Sequence, residues 1–152
     1  MKTLSHFILT LALFSAIALG QPPAPYNAVE VDPFAADKAV NLPSGYPTAL
    51  ADSIARELSV EFSTLIILRP GESAPDRRTV LRISGTIIQF KSGSSAKRLL
   101  AGFGGTVVTA EVRFGDASTG RVVTIREFQA GPDTLGKKIA RFCKSEHLVD
   151  AN

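Results

Sequence analysis

The sequence predicts an α+β fold, an α/β sandwich in which helices pack on a mixed five-stranded sheet in the order β-α-β-β-(short α)-β-β-α. Three observations carry this. Residues Thr106 to Phe114 alternate apolar and polar and are followed by a turn and a returning strand, the signature of an antiparallel pair with one buried face. Two segments repeat apolar residues at helical spacing. A short continuous apolar run, Leu65 to Leu68, follows the first of them, as a strand buried on both faces would.

The elements follow in chain order. Val29 and Val31 alternate with Glu30 and Asp32 before Pro33 and Phe34, which reads as a short strand stopped by proline. Thr48 is a candidate cap for a helix whose Leu50, Ile54, Leu58 and Phe62 recur every fourth residue, with Asp52, Arg56 and Glu61 pointing away. Leu65 to Leu68 then reads as a central strand parallel to the first, ended by Arg69-Pro70-Gly71 and making a right-handed crossover with the helix. Val80 to Phe90 is a long strand with Leu81 and Ile83 on one face, and Gly85 marks an expected bulge because Ile87 and Ile88 break the alternation. In the next strand Val108, Ala110, Val112 and Phe114 share the buried face. Asp116-Ala117-Ser118-Thr119-Gly120 is hairpin chemistry, and Arg121 to Phe128 returns antiparallel. Asp133 or Thr134 is expected to cap a last helix with Leu135, Ile139, Phe142 and Cys143 inward and Lys137, Lys138, Arg141 and Lys144 outward.

The chain of 152 residues begins with a segment that reads as an address. Lys2 precedes an apolar run of 13 residues from Phe7 to Leu19, broken only by Thr10 and Ser15, and Ala18-Leu19-Gly20 has the small residues that a signal peptidase reads. The run is shorter than the roughly 18 residues a bilayer span needs. Residues 1–20 are therefore expected to be a signal peptide, 21–27 a solvated Pro-rich linker and 28–149 a single envelope domain, periplasmic or secreted. Cys143 is the single cysteine and lies far from the cleavage region, so the reading includes neither a lipobox and lipid anchor nor an internal disulfide. The formal net charge of +3 includes Lys2, and the remaining small excess is spread along the chain, which argues against a nucleic-acid surface.

Between the third and fourth strands lies GSSAKRLLAGFGG, inside a Gly85 to Gly120 segment that holds seven glycines. Val107 stands where a dinucleotide loop needs its third glycine, and the GK[ST] ending of a phosphate loop is missing, so no nucleotide cofactor is expected. Two readings remain and are compatible. Ser94 or Ser95 caps one helical turn that Gly102 ends, with Phe103 packing back. Alternatively, Lys97 and Arg98 beside Phe103 form a surface for a partner subunit or for peripheral membrane contact.

Catalytic inventory is sparse. With His6 in the leader, His147 is the one remaining histidine, and no acid-base pair stands out. Cys143, His147 and Asp150 are spaced so that one helical face could present them, which supports a rival reading as a small hydrolase or metal-dependent enzyme. Cys143 also falls on the apolar stripe, where a cysteine serves as a small hydrophobe. The expectation from the residues is a non-enzymatic protein with no catalytic residues, no metal and no cofactor.

Taken together, VEVDPF, the GTI at Gly85, GSSAKR leading into GFGG, DASTGRVV and KKIARFCKSEHL resemble the bacterial envelope family known as domain of unknown function forty-four-ten. The likeness covers nearly all of the chain after the leader. A more distant similarity runs to the periplasmic domain of the curli secretion channel subunit and to the N-terminal domain of TolB. The resemblance implies a sheet-and-helix fold used for protein assembly in the envelope, with an envelope protein or a second copy as partner. Arg98, Gly102, Phe103 and Gly104 match the family motif, and with Lys97 they are the expected partner-binding residues.

Overall fold

The computed structural model describes residues 25–75, 78–91 and 105–150. Among these described residues eight elements follow one another: β1 (Ala28–Val31), β2 (Ala35–Ala36), α1 (Tyr46–Glu61), β3 (Ile66–Leu68), β4 (Val80–Lys91), β5 (Val107–Asp116), β6 (Val122–Ala130) and α2 (Pro132–Ser145). The class is α+β, with both helices packed together on one face of a mixed sheet. The sheet runs β3-β1-β4-β5-β6, with β1 parallel to both β3 and β4, and β4-β5-β6 antiparallel.

Several expectations change. The sheet has a sixth strand, because β2 resumes after Pro33 and pairs with β4 at Thr86 and Ile87. Proline interrupts the ladder by lacking an N–H, and the chain uses the interruption to drop the Phe34 ring into the core. β3 lies parallel to β1 as expected but at the sheet edge, not at its centre. Its apolar run is explained by packing under α1 on one side, and Ile66 and Ile67 are only half-buried. Gly85 is not the bulge. The register shift falls between Ile87 and Gln89, leaving Ile88 exposed, whereas Gly85 keeps regular pairing with Val112. Its missing side chain serves a close approach: a Cβ there would sit 2.8 Å from Phe34 Cδ1 and 2.6 Å from the Glu111 carbonyl oxygen.

The helix starts also differ. α1 begins after Gly45, in the left-handed conformation at φ 76°, with Pro47 in the first turn, so Thr48 lies inside the helix. α2 begins after Gly131, again with proline leading, and the Thr134 hydroxyl donates back to the Gly131 carbonyl at 3.2 Å. In both cases proline presets the first helical turn and removes one N–H that would otherwise need a cap. Tyr26, placed in the solvated linker by composition, is buried. It pairs with Val149, its N–H donating to the Leu148 carbonyl at 2.8 Å while its own carbonyl accepts from Asp150 N at 2.9 Å. The two ends of the folded domain are thereby clamped side by side.

The core follows the alternation. Leu81, Ile83 and Ile87 of β4 and Val108, Ala110, Val112 and Phe114 of β5 are fully buried under Ile54 and Leu58 of α1 and Leu135, Ile139 and Cys143 of α2. Phe114, Phe128 and Phe142 stack with centroids 5.1–6.4 Å apart and tie α2 to the antiparallel half. Where the helices meet, a Cβ on Gly136 would lie 3.1 Å from the Ser53 carbonyl, so glycine there lets the two backbones come close. The β5-β6 hairpin is built as its residues suggest. Asp116 Oδ1 accepts from Ser118 N, Thr119 N and the Ser118 hydroxyl, and Gly120 takes φ 70°. These hydrogen bonds, the Ser118 hydroxyl foremost, pull the Asp116 carboxyl down to about 2.

Candidate functional site

The expected partner-binding residues Lys97, Arg98, Gly102, Phe103 and Gly104 lie outside the described residues. The strand residues nearest to them in sequence among those described, Lys91 and Val107, pair at one end of the two longest strands. The enzyme rival rested on Cys143, His147 and Asp150 sharing a helix face. α2 ends at Ser145, and His147 follows in the left-handed region at φ 51°, exposed and off the helix. Cys143 is fully buried, and burial pushes its thiol up to about 12. Such a thiol is a core hydrophobe, with almost no thiolate at neutral pH. Among the described residues no group of three His, Cys, Asp or Glu is placed to hold a metal.

What the fold leaves available is the other face of the sheet. Both helices cover the side that carries Ile83 and Val112, so the alternating residues of β1, β4, β5 and β6 face outward. At its inner end Glu30, 4% exposed, is the one acidic group of the described residues that is buried. Its Oε2 accepts from Arg82 Nε at 3.1 Å and Nη2 at 2.9 Å, and its Oε1 accepts from the N–H of Gly71 at 2.8 Å. Parallel register sets Glu30 directly beside Arg82, and Gly71, at φ 78°, bends the loop after β3 back over the carboxylate. Hydrogen bonding to Glu30 raises the Arg82 pKa further, so the guanidinium stays charged. Asp32 stands 3.8 Å from Arg82 Nε, and burial, reinforced by the Glu30 charge, raises its pKa.

Outward from this network the face opens into a shallow concavity of about 270 Å³ lined by Asp32, Ser84, Thr86, Glu111 and Arg113. A second, of about 200 Å³, shares Ser84 and Arg113 and runs to Val122 at the hairpin. Farther out, Glu111 stands directly across from Glu127, and Arg113 across from Ile125. Like charges opposed in a ladder destabilise it, and neither carboxylate has a hydrogen bond or ion pair among the described residues. Val122 and Ile125 are each 42% exposed on β6, the outermost strand of the sheet. The α2 half of the helix layer's outer surface has the opposite character, whereas α1 beside it carries Asp52, Glu57 and Glu61 against Arg56. Lys137, Lys138, Arg141 and Lys144 form the exposed α2 side, Lys144 Nζ meeting Glu61 Oε1 of α1 at 2.6 Å and Lys138 Nζ donating to the Gln129 carbonyl at 2.8 Å.

Sequence reasoning missed this face. The signal was present as single charges inside buried strands, Glu30 in VEV and Arg82 in LRI, but pairing them requires the register of β1 on β4.

A two-layer α+β domain in which, among the described residues, one face of the sheet carries no helix and no group of three His, Cys, Asp or Glu is placed to hold a metal is the class that fold and site define. The chain belongs to the family described as domain of unknown function DUF4410, whose model matches residues 27–146. No curated protein matches it. Among solved structures, it is similar to the PelC dodecamer from Paraburkholderia phytofirmans. A single-substitution variant in space group C2 shares 16% identity at TM-score 0.55 over 86% of this chain and 96% of that one. The same dodecamer in space group P6 shares 15% identity at TM-score 0.52 over 86% and 94%. At these identities the likeness is one of fold. No helix of the described residues is long and apolar enough to cross a membrane.

Proposed function

We propose that this chain is an exported, non-enzymatic assembly module of the bacterial envelope that associates with copies of itself. The observation that supports this most directly is the sheet face on which, among the described residues, no helix packs, and which ends on the nine-residue strand β6 with Val122 and Ile125 half-exposed. Sheets bury both faces or keep one solvated, and a face that carries exposed apolar groups and opposed carboxylates suits a protein partner better than water. The fold is also that of a protein solved as a dodecamer, which supports self-association in a relative of this architecture. Export rests on the leader read in residues 1–20, and the burial of Cys143 in the core accords with a role outside catalysis.

The test is to express the full chain with its own leader, measure the mass of the N-terminus and follow the native mass across a concentration series. A start at Gln21 in an envelope fraction, with a mass that rises with concentration, is the expected result. A monomer at every concentration overturns the self-association reading, and an intact Met1 overturns export by cleavage.

A further inference from the structure

Building on the self-association reading, we infer that copies pack head to tail, the open sheet face of one copy seating on the outer surface of the helix layer of the next. Two surfaces of the same molecule complement each other. On the sheet face, Arg82 holds Glu30 and stands 3.8 Å from Asp32, Lys91 lies at the far end of β4, and between them Glu111 and Glu127 stand with Arg113. Across the molecule, every charged residue on the exposed side of α2 between Lys137 and Lys144 is basic. Lys137 and Arg141 are four apart and so share one stripe along that side.

The apolar spots match as well. Val60 is 76% exposed on α1, one residue before Glu61, whose carboxylate meets Lys144 of α2. Ile125 lies beside Glu127 on the sheet face, two residues along β6. Seated together, the stripe brings cations to the one place on the ladder where two carboxylates oppose each other without a partner, and Val60 meets the exposed Ile125. A second copy thereby relieves a conflict that the isolated domain holds unresolved. The contact joins two different surfaces, so it is heterologous and closes into a ring or extends as a filament according to the rotation between copies.

Charge reversal in the mature protein tests this. Glu111→Lys/Glu127→Lys alters the sheet face, and Lys137→Glu/Arg141→Glu alters the helix face. All four positions are exposed, and thermal melts of each variant verify that it folds. Sedimentation velocity should show self-association weakened at least tenfold in either variant, weakened likewise in the parent by raising salt from 50 to 500 mM, and recovered when the two variants are mixed. Association that is unchanged in both variants and insensitive to salt overturns the head-to-tail contact while leaving self-association intact. If that residual association is lost in Thr124→Pro, the copies join through the β6 edge instead, and the inference is wrong. A parent protein that stays monomeric at low salt sinks both the inference and the reading on which it rests.

Discussion

The two faces of this sheet are built from the same strands and yet obey different rules. On the helix-covered face the residues of β4 and β5 are apolar without exception from Leu81 to Ile87 and from Val108 to Phe114, apart from Gly85, and each is fully buried save that glycine. On the open face the same strands carry Arg82, Ser84 and Thr86, then Thr109, Glu111 and Arg113. Apolar burial at about 25 cal/mol per Å² makes the first face the source of stability. The second face is organised by specific polar contacts at its inner end and by an unresolved charge conflict at its outer end.

Gly85 is the position at which the covered face is most easily broken. Phe34 lies against it and the Glu111 carbonyl backs it, so Gly85→Val forces a side chain into space already filled by backbone. The expected loss is about 4 kcal/mol or more, beyond the ordinary range of overpacking because a carbonyl in a paired strand yields little. Chemical denaturation of the purified variant measures it. A loss below about 1 kcal/mol would show that Phe34 swings away freely and that the interruption at Pro33 serves another purpose.

The buried end of the open face breaks in an asymmetric way. Arg82→Ala leaves Glu30, whose side chain is 6% exposed, ionised without its cation, and should cost about 3 kcal/mol. Glu30→Ala leaves a guanidinium that is 47% exposed and can turn to water, together with one unsatisfied N–H at Gly71, and should cost about 2 kcal/mol. Urea titration of both variants at pH 7 reads the difference. Equal losses would mean that Asp32, 3.8 Å from Arg82, shares the charge closely enough to hide the asymmetry.

The same contrast accounts for what the residues disclosed in advance. β5 was legible because alternation has a period of two and needs no partner to be read, and α2 was legible because Leu135, Ile139, Phe142 and Cys143 repeat at helical spacing. The hairpin was legible because Asp116 and Gly120 each do locally what their chemistry allows. The place of β3 at the edge and the role of Gly85 were not, since both depend on which strand lies alongside. Gly85 reads as a bulge when only its own strand is considered and as a seat for Phe34 once β2 is known to run past it. The Glu30–Arg82 pair is hidden for the same reason, 52 residues apart in sequence and adjacent only through the β1-β4 register. The expected partner-binding loop around Lys97 and Arg98 lies outside the described residues, so the candidate site moves to the sheet face.

The smallest effect is expected at the outer end of the open face. Replacing one member of the opposed pair, Glu127→Lys, converts a like-charge contact with Glu111 into an attractive one. The isolated domain should gain about 0.5 kcal/mol, within the range for cross-strand ion pairs on an exposed ladder. Thermal unfolding at low protein concentration measures that gain, and sedimentation at high concentration measures the accompanying loss of self-association. A residue whose replacement stabilises the monomer but weakens assembly is held in place by the contact and not by the fold. If Glu127→Lys instead lowers monomer stability, Arg113 on the same face is already neutralising Glu127, and the conflict attributed to this end of the sheet does not exist.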